Sequence, residues 1–153
     1  MMRTIAFSIV LMSALVTSCS SSSGSSGTTT TSPASVTQPI GPEGGKIEVG
    51  GAVVTFPPGA VAASTMFTIS ADTEAVPDGF IALSKRFKCG PTGTDFGKPV
   101  EMRMPFTDDG KGGSLFWSSG ADPSFKDLGG RIEGTTMVAT IMHFSEGFVG
   151  RKK

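Results

Sequence analysis

The sequence predicts an all-β fold, an antiparallel β-sandwich of about eight short strands. Three observations predict it. Past the first forty residues, no window of about eleven residues carries the apolar period of a helix. Apolar and polar residues alternate over short runs instead, the signature of a half-buried strand. The 21 glycines and 10 prolines of the 153-residue chain fall largely between those runs, where they read as turns.

The chain opens with a segment that is not part of that fold. Residues 5–16 are mostly apolar, and Arg3 and the free amine stand ahead of them. Val16-Thr17-Ser18-Cys19 follows. A positive start, a short apolar run and a small-residue cut site make a secretory signal peptide. The apolar run is too short to span a bilayer as a helix, which takes about 20 residues. The cysteine at the cut makes the segment resemble a bacterial lipoprotein signal. That resemblance implies removal of residues 1–18 and a membrane anchor on the Cys19 sulfur. The anchor is a diacylglycerol plus an amide-linked acyl chain (palmitate among the usual acids). One acyl chain holds a protein only marginally, whereas several make residence permanent. Ser20 stands where an Asp is absent, which in that family implies the outer membrane. The alternative is an ordinary cleaved secretory peptide with a coincidental cysteine.

Residues 19–39 read as the modified cysteine and a disordered tether. Ser20 to Gln38 is almost wholly Ser, Thr and Gly, with too few apolar side chains to offset the entropy of ordering it. As a flexible coil it spans roughly 25 Å.

Residues 40–150 read as the folded domain. Lys46-Ile47-Glu48-Val49 alternates, Gly50-Gly51 turns the chain, and Ala52 to Phe56 is a second strand. Pro57-Pro58-Gly59 ends it, because two successive residues lack an N–H. Met66 to Ala71 and Leu83 to Gly90 are the next strands. Val100-Glu101-Met102-Arg103-Met104 has the cleanest alternation in the chain. Leu115 to Trp117 is a short strand, with Trp117 in the core. Asp122 to Gly130 is expected as a loop with Phe125 and Leu128 tucked in. Thr135 to Phe144 is expected as the longest strand, continued by Phe148-Val149. Arg151-Lys152-Lys153 is a basic tail, expected as a solvated terminus.

Charge and cysteine content bound the chemistry. The formal net charge is 0, and loss of Arg3 with the leader leaves it near −1. A nucleic-acid partner needs a concentrated basic face, so none is expected. With Cys19 lipidated, Cys89 is a lone thiol, read as a small strand residue. One histidine and no cysteine pair argue against zinc. Asp108-Asp109-Gly110 lacks the alternating acidic ligands of a calcium loop. No glycine-rich loop opens a helix to cradle phosphate. No cofactor and no metal are expected.

Four motifs fall in a recognisable order: Gly44-Gly45-Lys46-Ile47, Pro57-Pro58-Gly59-Ala60-Val61, the run Gly90 to Val100, and His143-Phe144-Ser145. In this they resemble ZU-five domains, found in zonula occludens proteins, Unc-five netrin receptors and ankyrins. The resemblance spans about residues 40–150. It implies a β-sandwich that mediates protein contacts without a cofactor, here in a stand-alone bacterial version. A protein or envelope-glycan partner is the expectation. At the matching positions Gly59 and Gly93 supply backbone angles that side chains resist, and Pro99 starts a strand.

Relatives in death-domain scaffolds and inflammasome sensors cut their own chain between Phe and Ser of a His-Phe-Ser motif. The resemblance therefore makes His143, Phe144 and Ser145 candidates for self-cleavage, with Ser145 Oγ attacking the Phe144 carbonyl and His143 as base. Strand geometry opposes it. Residues 143 and 145 sit about 6.6 Å apart along a regular strand, and a base must come within about 3 Å of its proton. A bend is required, and Gly147 is the local hint of one. The favoured reading is a non-catalytic, lipid-anchored envelope module. A self-processing module and a purely structural envelope component are the alternatives.

Overall fold

The computed structural model describes residues 34–120 and 124–153. Cys19 and most of the expected tether lie outside them. The described chain is all-β, with twelve strands in two antiparallel sheets. In chain order these are β1 (Ser35–Ile40), β2 (Gly45–Val49), β3 (Ala52–Phe56), β4 (Thr65–Asp72), β5 (Phe80–Ala82) and β6 (Arg86–Gly90). Then come β7 (Asp95–Pro105), β8 (Ser114–Ser118), β9 (Phe125–Gly129), β10 (Arg131–Glu133), β11 (Thr136–His143) and β12 (Glu146–Lys152).

The five-stranded sheet runs β10-β11-β7-β3-β2. Its register explains the alternation in the sequence. Ile47 faces Val54, Val54 faces Met102, and Met102 faces Ala139, so one buried row crosses four strands. One residue along each strand, Lys46, Thr55, Glu101 and Thr140 form the opposite row. That outer face is a ladder of charges that neutralise one another: Arg103 bonds Glu101 at 3.2 Å and also Glu133, while Arg131 bonds Glu133 at 2.7 Å.

The seven-stranded sheet runs β1-β4-β6-β12-β8-β9, with β5 paired to β12 beyond the end of β6. The last strand of the chain is therefore central. The face turned to the other sheet carries Phe67, Ile69, Cys89 and Trp117, all buried. Between the sheets the rings of Phe56, Phe67, Phe96 and Phe144 pack at centroid distances of 5.0 to 6.1 Å. A second aromatic group lies apart from this core. Phe80, Phe116, Phe125 and Phe148 come from four neighbouring strands, β5, β8, β9 and β12. Phe116 and Phe148 stack at 5.7 Å, and the ring of Phe80 lies 4.9 Å from Phe116 and 5.4 Å from Phe148. Edge-to-face pairs like these add to the area they bury.

Several expectations are corrected. Among the described residues the first strand begins at Ser35, ahead of Ile40: Val36, Gln38 and Ile40 pair with Ile69, Phe67 and Thr65 of β4, so the end of the expected tether is a strand. Of the expected strand from Leu83 to Gly90 only Arg86–Gly90 forms one, β6; Leu83 to Lys85 bend the chain between it and the separate short strand β5. Residues 125–129 form β9 and not a loop, and Leu128 is exposed, not tucked in. The longest strand is β7, not the run from Thr135 to Phe144. Pro99 lies inside β7, not at its start. It is tolerated there because the β7–β11 ladder jumps between Val100–Ile141 and Asp95–His143, so its missing N–H breaks no bond. The expected solvated tail is also structured, since Arg151 and Lys152 pair with Ile81 and Phe80.

Candidate functional site

The motifs that are scattered in sequence form one hydrogen-bonded chain in space. The Gly59 N–H donates to the Pro42 carbonyl at 2.7 Å, joining the first glycine motif to the Pro-Pro-Gly turn. The Gly97 N–H donates to the Ala60 carbonyl at 2.9 Å, and Lys98 Nζ donates to the Pro58 carbonyl at 2.6 Å. The Phe144 N–H donates to the Thr94 carbonyl at 2.9 Å, and the Gly93 N–H donates back to the Phe144 carbonyl at 2.7 Å. Gly59 and Gly93 both have φ of 81°, in the left-handed region where a side chain is strained. Buried backbone groups must find partners, and these motifs supply them for one another.

His143, Phe144 and Ser145 close this chain. The expected bend exists, but its cause is the irregular register after Ile141. Gly147 has a different job: a Cβ there would collide with the Trp117 ring and the Phe116 carbonyl. Phe144 is fully buried among Phe56, Phe67 and Phe96. His143 Nε2 donates to the carbonyl of Ser118 at 3.1 Å, and Trp117 Nε1 donates to the carbonyl of His143 at 3.2 Å. Ser145 Oγ hydrogen-bonds Ser118 Oγ, and both serines are buried. Ser118 thus stands between the two candidate residues, its carbonyl taking the imidazole and its hydroxyl taking Ser145. No signal in the sequence singles it out, because its role depends on β8 and the start of β12 lying side by side.

Cys89 is buried, and burial pushes its thiol well above the ordinary range, which keeps it from forming the reactive thiolate. Among the described residues, no group of three or more His, Cys, Asp or Glu side chains is placed to hold a metal ion. No helix among the described residues is long and apolar enough to cross a membrane.

A charged cluster that sequence reading missed lies on the outer face of the seven-stranded sheet. Arg86 is only 8% exposed and carries ion pairs to Asp72 at 3.5 Å, to Glu74, and to Glu146 at 3.8 Å. Lys88 holds Asp72 at 2.7 Å and Glu74 at 3.1 Å. The hydrogen bond from Lys88 keeps the Asp72 carboxyl below the usual carboxylate range. The cross-strand pairs Asp72–Arg86 and Ser70–Lys88 create the cluster, and alternation hid it by placing each charge among apolar neighbours. The cluster borders an open groove of about 760 Å³, lined among others by Glu74, Leu83, Lys85, Pro105 and Phe106.

The described chain is thus a two-sheet sandwich whose loop motifs are hydrogen-bonded to one another. The family model for the ZU5 domain matches residues 36–116, more than half of the chain, and the chain belongs to that family. ZU5 domains are protein-interaction modules. A search of the curated proteins finds no match.

Proposed function

We propose that this protein is a lipid-anchored bacterial envelope lipoprotein whose ZU5 sandwich holds a protein or envelope-glycan partner and performs no chemistry. The observation that carries the reading is the order of parts in the chain. An apolar leader ends in Val16-Thr17-Ser18-Cys19, a Ser/Thr/Gly-rich stretch follows, and an interaction domain comes next. Acyl chains on Cys19 fix the protein to the outer membrane, and the stretch to about residue 34 lets the domain reach away from it. The groove beside Arg86 supports partner contact at that place. It offers apolar Leu83, Pro105 and Phe106 next to Lys85, a cation with no ion pair among the described residues. The five-stranded sheet's outer face is less suited, because its charges already satisfy one another.

His143, Phe144 and Ser145 serve as a structural lock in this reading. The imidazole is committed to Ser118 and not to Ser145, so no base sits on the hydroxyl that would attack.

Metabolic labelling with a fatty-acid probe tests the anchor. Wild type is expected to take up label and sediment with membranes, and Cys19→Ala to do neither. An unlabelled wild type free in washed extracts overturns the proposal. Proximity labelling in cells tests the partner, with Lys85→Glu expected to lose the reproducible neighbour that wild type marks.

A further inference from the structure

The strand orders leave β1 and β9 at the ends of one sheet and β10 and β2 at the ends of the other, with the three-residue β5, paired only to β12, beside the first. Free edges invite pairing with another chain, and proteins block them. Three of these four are blocked. Pro39 removes a donor from β1. Gln38 Nε2 donates to the Lys46 carbonyl at 2.7 Å and so occupies the edge of β2. β9 has a register shift opposite Leu115 and Phe116, and Asp127 Oδ1 accepts the Gly129 N–H at 2.8 Å.

β10 is short and carries two charges, but it has no proline, register shift or side-chain cap on its open side. It is closed to β11 by the two-residue loop Gly134-Thr135, with Glu133 opposite Thr136. Such a loop closes on a hydrogen-bonded pair, and alternation then turns the N–H and C=O of Ile132 to the open side. The Ile132 side chain continues the buried row of Met137 and Met104, yet it is 44% exposed because the sheet stops there. Leu128, four residues earlier on the end strand of the other sheet, is 43% exposed. Arg131 and Glu133 flank Ile132 on the opposite face. The triplet Arg131-Ile132-Glu133 is its own antiparallel complement. Laid against a second copy, Arg131 meets Glu133, Ile132 meets Ile132, and Glu133 meets Arg131.

We infer that β10 pairs with β10 of a second copy of this chain about a two-fold axis at Ile132, joining two five-stranded sheets into one. A two-fold contact uses the same patch on both partners, as this triplet does. The pairing satisfies the outward Ile132 backbone groups and covers the Ile132 side chain of both copies. Arg131 and Glu133 already pair within each copy, and the seam sets each beside its opposite in the second copy, extending that pairing into one alternating network where like charges would repel. A contact this short buries less than the roughly 1,200 Å² of stable complexes, so the dimer is weak and depends on concentration.

Charge exchange between copies tests this. Full-length chains in detergent are examined by sedimentation equilibrium, with circular dichroism checking that each variant is folded. Wild type is expected to show a reversible monomer–dimer equilibrium. Arg131→Glu alone and Glu133→Arg alone each set like charges against like and weaken association about tenfold. An equimolar mixture of the two restores it, because each then meets its opposite. Ile132→Cys is expected to yield a disulfide-linked doublet beyond any wild-type background, and Met142→Cys, 50% exposed elsewhere on the domain, to yield none. A wild type that stays monomeric at every concentration, a mixture no better than its components, or equal linking at Met142 each overturns the inference.

Discussion

Ser118 Oγ and Ser145 Oγ are hydrogen-bonded to each other inside the domain, 27 residues apart in the chain. A buried hydroxyl left without its partner costs about 1 to 3 kcal/mol. Ser145→Ala and Ser118→Ala are each expected to lower stability by that amount. The double variant should lose less than the sum, since it removes both ends of one bond. Urea denaturation of the four proteins measures this. Mass spectrometry on the same wild-type sample, kept for days at neutral pH, should show an uncut C-terminus. A break at Phe144-Ser145 that Ser145→Ala abolishes would reinstate self-processing.

The two aromatic groups should act independently. Phe67 belongs to the group between the sheets and Phe116 to the group on β5, β8, β9 and β12. Trimming a buried ring to a smaller side chain leaves a gap that the neighbours fill only in part. Phe67→Leu and Phe116→Leu are each expected to cost about 1 to 2 kcal/mol. They share no ring partner, so their double variant should cost the sum within about 0.5 kcal/mol. Denaturation midpoints decide it, and a marked shortfall would mean the two groups behave as one core.

Acid should loosen the C-terminal strand. Arg151 grips Asp109 with two hydrogen bonds, at 2.7 and 2.5 Å, and holds its carboxyl below the ordinary value. The unfolded chain therefore takes up the proton at higher pH than the folded one does. The stabilisation is complete above the unfolded value of about 4 and disappears as pH falls through the folded value. Arg151→Ala removes it at every pH. The stability gap between wild type and Arg151→Ala should be present at pH 7 and vanish near pH 2. A gap that persists in acid would trace it to packing of the arginine stem.

Cys89 should resist thiol reagents while the domain is folded. The thiol is buried and its pKa is pushed up by that burial. Alkylation at pH 8 is expected only in denaturant, read as a mass increase on the peptide containing Cys89. Rapid modification in native buffer would show that β6 opens readily.

What the sequence made legible was the part carried by period and punctuation. Val100, Met102 and Met104 alternate cleanly and are buried as expected, because β7 lies between β3 and β11 with one face to the core. Gly59 and Gly93 were readable as left-handed positions from their Pro-rich turns. The short end strands were not readable. Phe125 to Gly129 is polar and ends in glycine, so only pairing with β8 makes it a strand. β1 was hidden because Ser35, Thr37 and Gln38 look like the tether before them. Nor did spacing reveal Ser118 or the Arg86 cluster, since both arise from cross-strand neighbours distant in the chain. Cys19, the residue on which the sequence speaks most directly about location, lies outside the described fold.

The central place of β12 has a consequence for how the molecule is made. β8 and β9 connect to β4 and β6 within their sheet only through β12, which follows all of them in the chain. A polypeptide emerging from its N-terminus first has nothing to knit the two halves until β12 is clear. The sheet therefore closes only when β12 joins, and until then β8 and β9 stay unlinked from β4 and β6.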